Sequence, residues 1–360
     1  MDKIVINGYK SIKKLELTLH PINILIGANG SGKTNFLSYF EFLKNIYIQN
    51  LRGYVAERGG IDKILFNGAK VTPEISSLLT FGKNKYSFTI KAGDAGFVFT
   101  EEGLWYDSNP FYPNPMDIST MAFESNLRNA TVARAKYIRD YLDGLVKYHF
   151  HDTSSNSPFT HTSHVENDIF RLYSKGQNVA AFLYNIRKKK PLSYNLIVGT
   201  IQSIAPYFSD FFLQPDENGL VRLLWTSKYS ENIYGVSDLS DGTIRFIALT
   251  VLFLQPTLPS TIIIDEPELG LHPAAIAKLA GMIKSAAKKK CQIVAATQST
   301  DLISYFSPND IIAVDQVRGE SRFQQLNTKE LQLWLEEYYS VDELWKQNIL
   351  TKGQPNFEVL

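Results

Sequence analysis

Apolar and polar residues alternate with a period of two at the start of the chain, in Ile4-Val5-Ile6, Leu15-Glu16-Leu17-Thr18-Leu19 and Ile22-Asn23-Ile24-Leu25-Ile26. Short β-branched runs of this kind, separated by residues 8–14 and by His20-Pro21, predict three strands. The period then changes. From residue 35 to 46 the apolar Phe36, Leu37, Phe40 and Leu43 fall at helical spacing, so strand, glycine-rich loop and helix follow in order. Between residues 71 and 105 short strands return, broken at Gly82, Gly93 and Gly96, and predict an antiparallel β subdomain. The stretch 114–206 reads as mostly helical, most clearly over 134–142, with a loop rich in Ser, Thr and Asn at 152–163. In the last third, strands at 221–226, 261–265, 291–296 and 310–314 alternate with helices at 240–254 and 273–290. Such alternation implies a mostly parallel sheet. The expected fold is α/β, divided into an N-terminal core part (1–113), a helical lobe (114–215) and a C-terminal core part (216–360) that also carries C-terminal helices.

Composition bounds the function. The 360 residues are 44% hydrophobic and 12% aromatic, enough for a sizeable core. Charge is balanced, 37 Lys and Arg against 36 Asp and Glu, so any nucleic-acid surface must come from local clusters. Cys291 is the one cysteine, which excludes an intramolecular disulfide and fits a reducing compartment. The opening residues lack the apolar core of a signal peptide, and the apolar run 246–254 is far short of a bilayer span. A cytoplasmic protein with no membrane partner is the expectation.

Two motifs carry the chemistry. Gly27-Ala28-Asn29-Gly30-Ser31-Gly32-Lys33-Thr34 matches the phosphate-binding P-loop in full, between an apolar strand and a helix. Its glycines let backbone N–H groups turn inward as an anion nest, and the helix adds its positive end. Lys33 would bridge the β- and γ-phosphates of ATP, and the Thr34 hydroxyl would bind Mg²⁺. Asn29, Gly30, Ser31, Gly32 and Asn35 complete the expected nucleotide contacts. The second motif, Ile262-Ile263-Ile264-Asp265-Glu266, delivers two carboxylates at the carboxyl end of a buried strand, where open α/β sheets bind ligands. Asp265 would hold the Mg²⁺ and Glu266 would orient or deprotonate the attacking water.

Leu239-Ser240-Asp241-Gly242-Thr243, at the start of a helix, resembles the signature of ABC ATPases. With Asp265-Glu266-Pro267-Glu268-Leu269-Gly270-Leu271-His272-Pro273 it looks like the RecF/SMC/OLD branch of ABC-type heads. Ile6-Asn7-Gly8-Tyr9-Lys10-Ser11-Ile12 resembles the short motif that precedes the P-loop in those heads. The compact length is similar to a bacterial group of RecF-like ATPases, down to the Tyr148–Ser154 segment and the Leu344-Trp345-Lys346 tail. The resemblance implies a P-loop NTPase of ABC-head type, with Lys10 among the nucleotide contacts. It also implies composite sites: Ser240 and Gly242 of one protomer would close on the ATP held by another, in a homodimer or higher homo-oligomer. Two positions depart from the family. Asp241 stands in place of a glycine, and Gln298, in Ala296-Thr297-Gln298-Ser299, stands in place of a switch histidine. An amide can donate to a γ-phosphate but carries no proton at neutral pH, so slow turnover is expected.

The resemblance further implies action on DNA in repair or defence, with the output made by an effector protein, a nuclease or toxin encoded nearby, since no nuclease constellation is visible after Asp315. A nucleotide-gated scaffold that sequesters an effector is the other class; a transporter subunit lacks its recognisable coupling loop here. Two further features stay open at this point. His149, His151, Asp152, His161 and His164 read as metal ligands or as a polar loop against an aromatic-rich lobe, the second being the plainer reading. The runs Arg187–Lys190 and Lys288–Lys290 fit a phosphate backbone or solvated helix ends.

Overall fold

A computed structural model of the chain describes residues 1–106, 115–154 and 156–326. The Leu344-Trp345-Lys346 tail lies outside the described residues. β1 (Lys3–Tyr9) and β2 (Ile12–Thr18) form a hairpin, and β3 (Ile22–Ile26) runs on into the glycine loop and α1 (Lys33–Tyr47). After α2 (Leu51–Glu57) come β4 (Glu74–Phe81), β5 (Asn84–Gly93), β6 (Gly96–Tyr106) and β7 (Met116–Ser119). The hairpin joins these four strands in one antiparallel sheet of order β2-β1-β4-β5-β6-β7. The expected antiparallel subdomain is therefore present, and it takes in the first two strands of the chain.

The middle of the chain departs from the mostly helical expectation. α3 (Ala133–Asp143) is there, but β8 (Leu145–Tyr148) follows at once and pairs in parallel with a strand of the last third. Four residues between a helix and a polar loop carry too little periodicity to register as a strand. An irregular stretch with β9 (Ser163–His164) then leads to α4 (Val179–Lys189) and α5 (Pro191–Gln202). β10 (Phe208–Phe212), β11 (Leu220–Val221), β12 (Leu224–Ser227) and β13 (Ser230–Tyr234) follow; β10, β12 and β13 make a small sheet, and β11 pairs with β9.

The last third holds α6 (Asp241–Leu254), β14 (Thr261–Asp265), α7 (Pro273–Lys288), β15 (Gln292–Thr297), α8 (Thr300–Ile303), β16 (Ile311–Val317) and β17 (Glu320–Gln325). The core sheet has the order β17-β16-β3-β15-β14-β8 and is parallel except for the β16–β17 hairpin. Its strands are near-continuous apolar runs because both faces are covered. Successive side chains go to opposite faces. Ile22, Ile24, Ile26, Ile262, Ile264, Ile293 and Ala295 join the core with α6 and α7, whereas Leu25, Ile263, Val294 and Ala296 join the core under α1 and the antiparallel sheet. Among the described residues no helix is long and apolar enough to cross a membrane.

Cys291 is buried just before β15, and burial pushes its thiol up to about 12. With the thiolate that scarce, alkylation at neutral pH should run about 10³-fold slower than for a free cysteine. The full rate should appear on adding denaturant. Labelling followed by mass spectrometry checks this, and prompt labelling of the native protein would contradict the burial of the strand end.

Candidate functional site

The five parallel strands of the core sheet have their carboxyl ends on one side, and the glycine loop leaves from the tip of β3. Gly30 and Gly32 adopt φ of 81° and 111°, a region that costs other residues energy. Gly32 precedes α1 without any side-chain cap, and among the described residues the N–H groups of Gly30, Gly32, Lys33, Thr34 and Asn35 meet no backbone acceptor. Unpaired donors at a helix N-terminus are the makings of an anion nest. Close approach also demands glycine here: a Cβ on Gly27 would collide with the Val314 carbonyl, and one on Gly32 with the Ser321 side chain. Lys33 Nζ donates to the carbonyls of Gly27 (2.6 Å) and Ala28 (3.0 Å). Burial lowers its pKa, and the nearby Asp265 and Glu266 work against that shift.

Asp265 arrives beside this loop because of the strand period. Ile263 faces α1, so Asp265 two residues on faces the same way, and Thr34 Oγ1 donates to its Oδ2 at 3.2 Å. Burial raises the Asp265 pKa, the Thr34 hydrogen bond opposes it, and Glu266 adds to it. The hydroxyl and carboxylate are oxygen ligands of the kind Mg²⁺ takes. Glu266 has φ of 40°, uncommon for a residue with a Cβ, while its N–H still donates to the Ala296 carbonyl at 2.8 Å. The turn directs its carboxylate to Gln298, whose Nε2 lies 2.8 Å from both Glu266 Oε1 and Asn29 Oδ1. One amide thus ties the carboxylate after β14 to the P-loop from the end of β15.

A family model described as "AAA domain, putative AbiEii toxin, Type IV TA system" matches residues 22–304, the span that holds every one of these groups. The chain belongs to this family. No curated protein matches the AAA domain in sequence. Among solved structures, an Smc head bound to the C-terminal winged-helix domain of ScpA shares 15% identity with a TM-score of 0.61, covering 92% of this chain and 99% of that one. An Smc head with an extended coiled coil, bound to the C-terminal domain of ScpA derived from Pyrococcus furiosus, gives 15% identity and a TM-score of 0.57, covering 93% and 98%. These likenesses show the fold, an α/β P-loop NTPase fold like that of the Smc heads, as the sequence resemblance implies.

Other expected contacts of the AAA domain are placed differently. The Lys10 ammonium donates to Ser38 Oγ at 2.8 Å, one turn beyond Thr34 on α1; burial, with Arg58 adding, lowers its pKa to about 8. Asn35 Nδ2 donates to Ser11 Oγ at 2.7 Å. Each side chain thus bonds a hydroxyl of the protein. Ser240 caps α6, with its Oγ accepting from the Thr243 N–H at 3.3 Å, and Asp241 is exposed in the first helical turn, where a carboxylate suits the dipole. Among the described residues neither Ser240 nor Gly242 hydrogen-bonds to the P-loop. Gly242 instead lies against the Gly270 carbonyl, too close for a Cβ.

Several residues join these pieces in ways that the sequence did not announce. Glu268 is buried and accepts from Thr297 Oγ1; burial raises its pKa. Arg245 donates to the carbonyls of Leu269 (2.9 Å) and His151 (3.0 Å), and His151 Nε2 lies 2.9 Å from the Asp265 carbonyl oxygen. The signature helix, the turn after Asp265 and the loop after β8 therefore meet at one guanidinium. Its one sequence clue is a lone cation in an otherwise apolar helix. The histidines do not converge: His149 and His151 stack at 4.5 Å, His164 sits in β9, and among the described residues no metal-binding cluster forms. Of the basic run, Arg187 donates to the Leu213 carbonyl and Lys188 lies over the Tyr184 ring, which leaves Lys189 and Lys190.

Proposed function

We propose that this AAA domain binds Mg²⁺·ATP on the P-loop and hydrolyses it slowly, as an ATP-gated homodimer that controls a partner protein. One observation supports hydrolysis above all: Gln298 joins Glu266 to Asn29, beside the Thr34–Asp265 pair. The residues fit the group they would hold. Thr34 and Asp265 supply oxygen ligands, and the unpaired N–H groups of the loop supply anion donors. When bound, Mg²⁺ neutralises charge on the transferred phosphoryl group. Glu266 then takes the proton of the attacking water, and Gln298 fixes that carboxylate and can donate to the γ-phosphate. Lys33 turns from its two carbonyls to the β- and γ-phosphates.

Ser240 is exposed and Gly242 half-exposed at the start of α6, and among the described residues neither bonds its own chain's P-loop, which supports their use by a second copy. Closure on ATP and opening on hydrolysis then form a two-state switch. The toxin-system description of the family, and the ScpA domain docked on the Smc heads, support an effector protein as the receiver of that switch. A role in defence or in repair, with DNA as a further ligand, follows the same line.

Phosphate release from mixed mutants tests the composite site. Ser240→Arg should leave ATP binding intact and abolish turnover, and Lys33→Ala should lose ATP affinity. Mixed, the two form dimers in which one site carries both lesions and the other neither. Up to half the normal activity per dimer should return. Folded, pairing-competent mixtures that stay inactive would show the sites to be complete within one chain.

A further inference from the structure

A cavity of about 680 Å³ lies beside α1 and β8, and none of the P-loop residues, Asp265, Glu266 or Gln298 lines it. Its walls carry five cations, Lys44, Arg58, Lys147, Arg171 and Lys175, against the carboxylates of Glu41 and Asp143. Glu41 is shared, 2.7 Å from Arg58 and 3.4 Å from Lys147. The ammonium of Lys44 is taken up by the backbone carbonyls of Leu142 and Asp143. Arg171 and Lys175 are exposed at the rim, and among the described residues neither makes an ion pair or side-chain hydrogen bond. A surplus of three positive charges therefore faces one concave surface.

The far wall is built. Asn178 is buried, donates to the carbonyls of Asp168 and Arg171, and accepts from the Tyr173 N–H, while the His149 N–H donates to the Ser174 carbonyl. These bonds fix residues 171–177 against the end of β8. Gln177 lines the same cavity, with its Oε1 turned away from solvent and without a hydrogen-bond partner among the described residues. Leu145, Leu172 and the Tyr173 ring supply apolar surface between the charges. Burial lowers the Lys44 pKa, with Arg171 adding to it and Asp143 opposing; burial, then His151, Lys147 and Lys175, lower that of His149. The repulsion among these cations is relieved by an anion.

We propose that this cavity is a second ligand site of the chain, which takes one phosphorylated nucleotide: the phosphate on the Arg58, Lys147, Arg171 and Lys175 side, the base against the apolar wall of Leu145, Leu172 and the Tyr173 ring. The volume is in the range of pockets that enclose a small ligand. It holds one nucleotide and excludes a duplex. Two sources share this chemistry, a free nucleoside monophosphate and the 5′-phosphorylated end of a single strand.

The test uses the full chain carrying Lys33→Ala, which weakens the P-loop site, and calorimetry with four probes: thymidine 5′-monophosphate, thymidine, and a ten-residue oligothymidylate with either a 5′-phosphate or a 5′-hydroxyl. At least one phosphorylated probe should bind tenfold or more tightly than its unphosphorylated counterpart. Arg171→Glu with Lys175→Glu, both exposed and unpaired, should weaken that binding at least tenfold, and Arg171→Ala with Lys175→Ala should give an intermediate loss. The same substitutions with Lys33 restored should leave ATP affinity unchanged, which also shows that the protein is folded. If the monophosphate binds as well as the strand, the source is a free nucleotide; if the strand alone binds, it is a nucleic-acid end. Equal binding with and without the phosphate, or binding that survives the charge reversal, overturns the proposal.

Discussion

Glu266→Gln should hold ATP at least as tightly as the parent chain and turn it over a hundredfold or more slowly. The geometry supports so specific an effect. Gln298 donates to Glu266 Oε1, and a glutamine at position 266 offers a carbonyl oxygen in the same place, so the link to Asn29 survives. The substitution removes a proton acceptor and a negative charge. Loss of a positioned general base costs about 10²–10⁴ in rate. The lost charge stood near the phosphates, which argues for equal or tighter binding. Steady-state phosphate release and calorimetry with ATP measure the two quantities separately. Turnover at the parental rate would remove Glu266 from the chemistry, and weakened binding together with slow turnover would point to a collapsed loop.

Gly32→Ala should weaken ATP binding by tens to thousands of fold, through residue 321. Ser321 Oγ lies 2.7 Å from both the Ser31 carbonyl and Ser11 Oγ, and Ser11 in turn accepts from Asn35. With a single hydroxyl proton, Ser321 donates to the carbonyl and takes the proton of Ser11. A Cβ on Gly32 would occupy the place of that hydroxyl. The left-handed φ costs about 1–2 kcal/mol for a residue with a side chain. Displacing the serine leaves a buried carbonyl unpaired at about 1–3 kcal/mol. At 1.4 kcal/mol per decade, the two effects give the stated range. Ser321→Gly alone keeps glycine at 32 and removes the hydroxyl, so it should show the carbonyl part of the loss without the backbone part. Parental affinity in Ser321→Gly would mean that φ alone decides, and that the serine is a bystander.

What could be seen in the sequence was what is local. The P-loop and the Asp265-Glu266 pair are each a strand, a turn and a few residues, so the order of residue types was enough to place Lys33, Thr34, Asp265 and Glu266 around one point. β14 and β15 are five- and six-residue apolar runs, and they stand close to where the alternation put them. What escaped depends on pairing across long separations. Gln298 reads as an odd switch residue until Asn29 is seen beside it. Ser321 lies in an unremarked hairpin, and Arg245 is one cation in a helix. The hydroxyls that Lys10 and Asn35 bond, Ser38 and Ser11, were likewise not foreseen from motif position. β8 was too short to read as a strand, and the basic cavity beside it is assembled from α1, β8 and a loop, so no run of charge announced it.

The Ser321–Ser31 contact has a consequence for synthesis. The loop that cradles phosphate leaves the ribosome 290 residues before the serine that pins it, and β3 waits as long for its neighbours β15 and β16. At about 5–20 residues per second, that delay is roughly 15–60 s. Through that interval residues 27–34 lack the Ser321 hydroxyl that holds the Ser31 carbonyl, and β3 lacks its neighbours β15 and β16. A loop set only at that point is expected to take ATP only after the late strands have joined β3. Nascent chains stalled before residue 321 should not be retained by immobilised ATP, whereas chains stalled well beyond it should be.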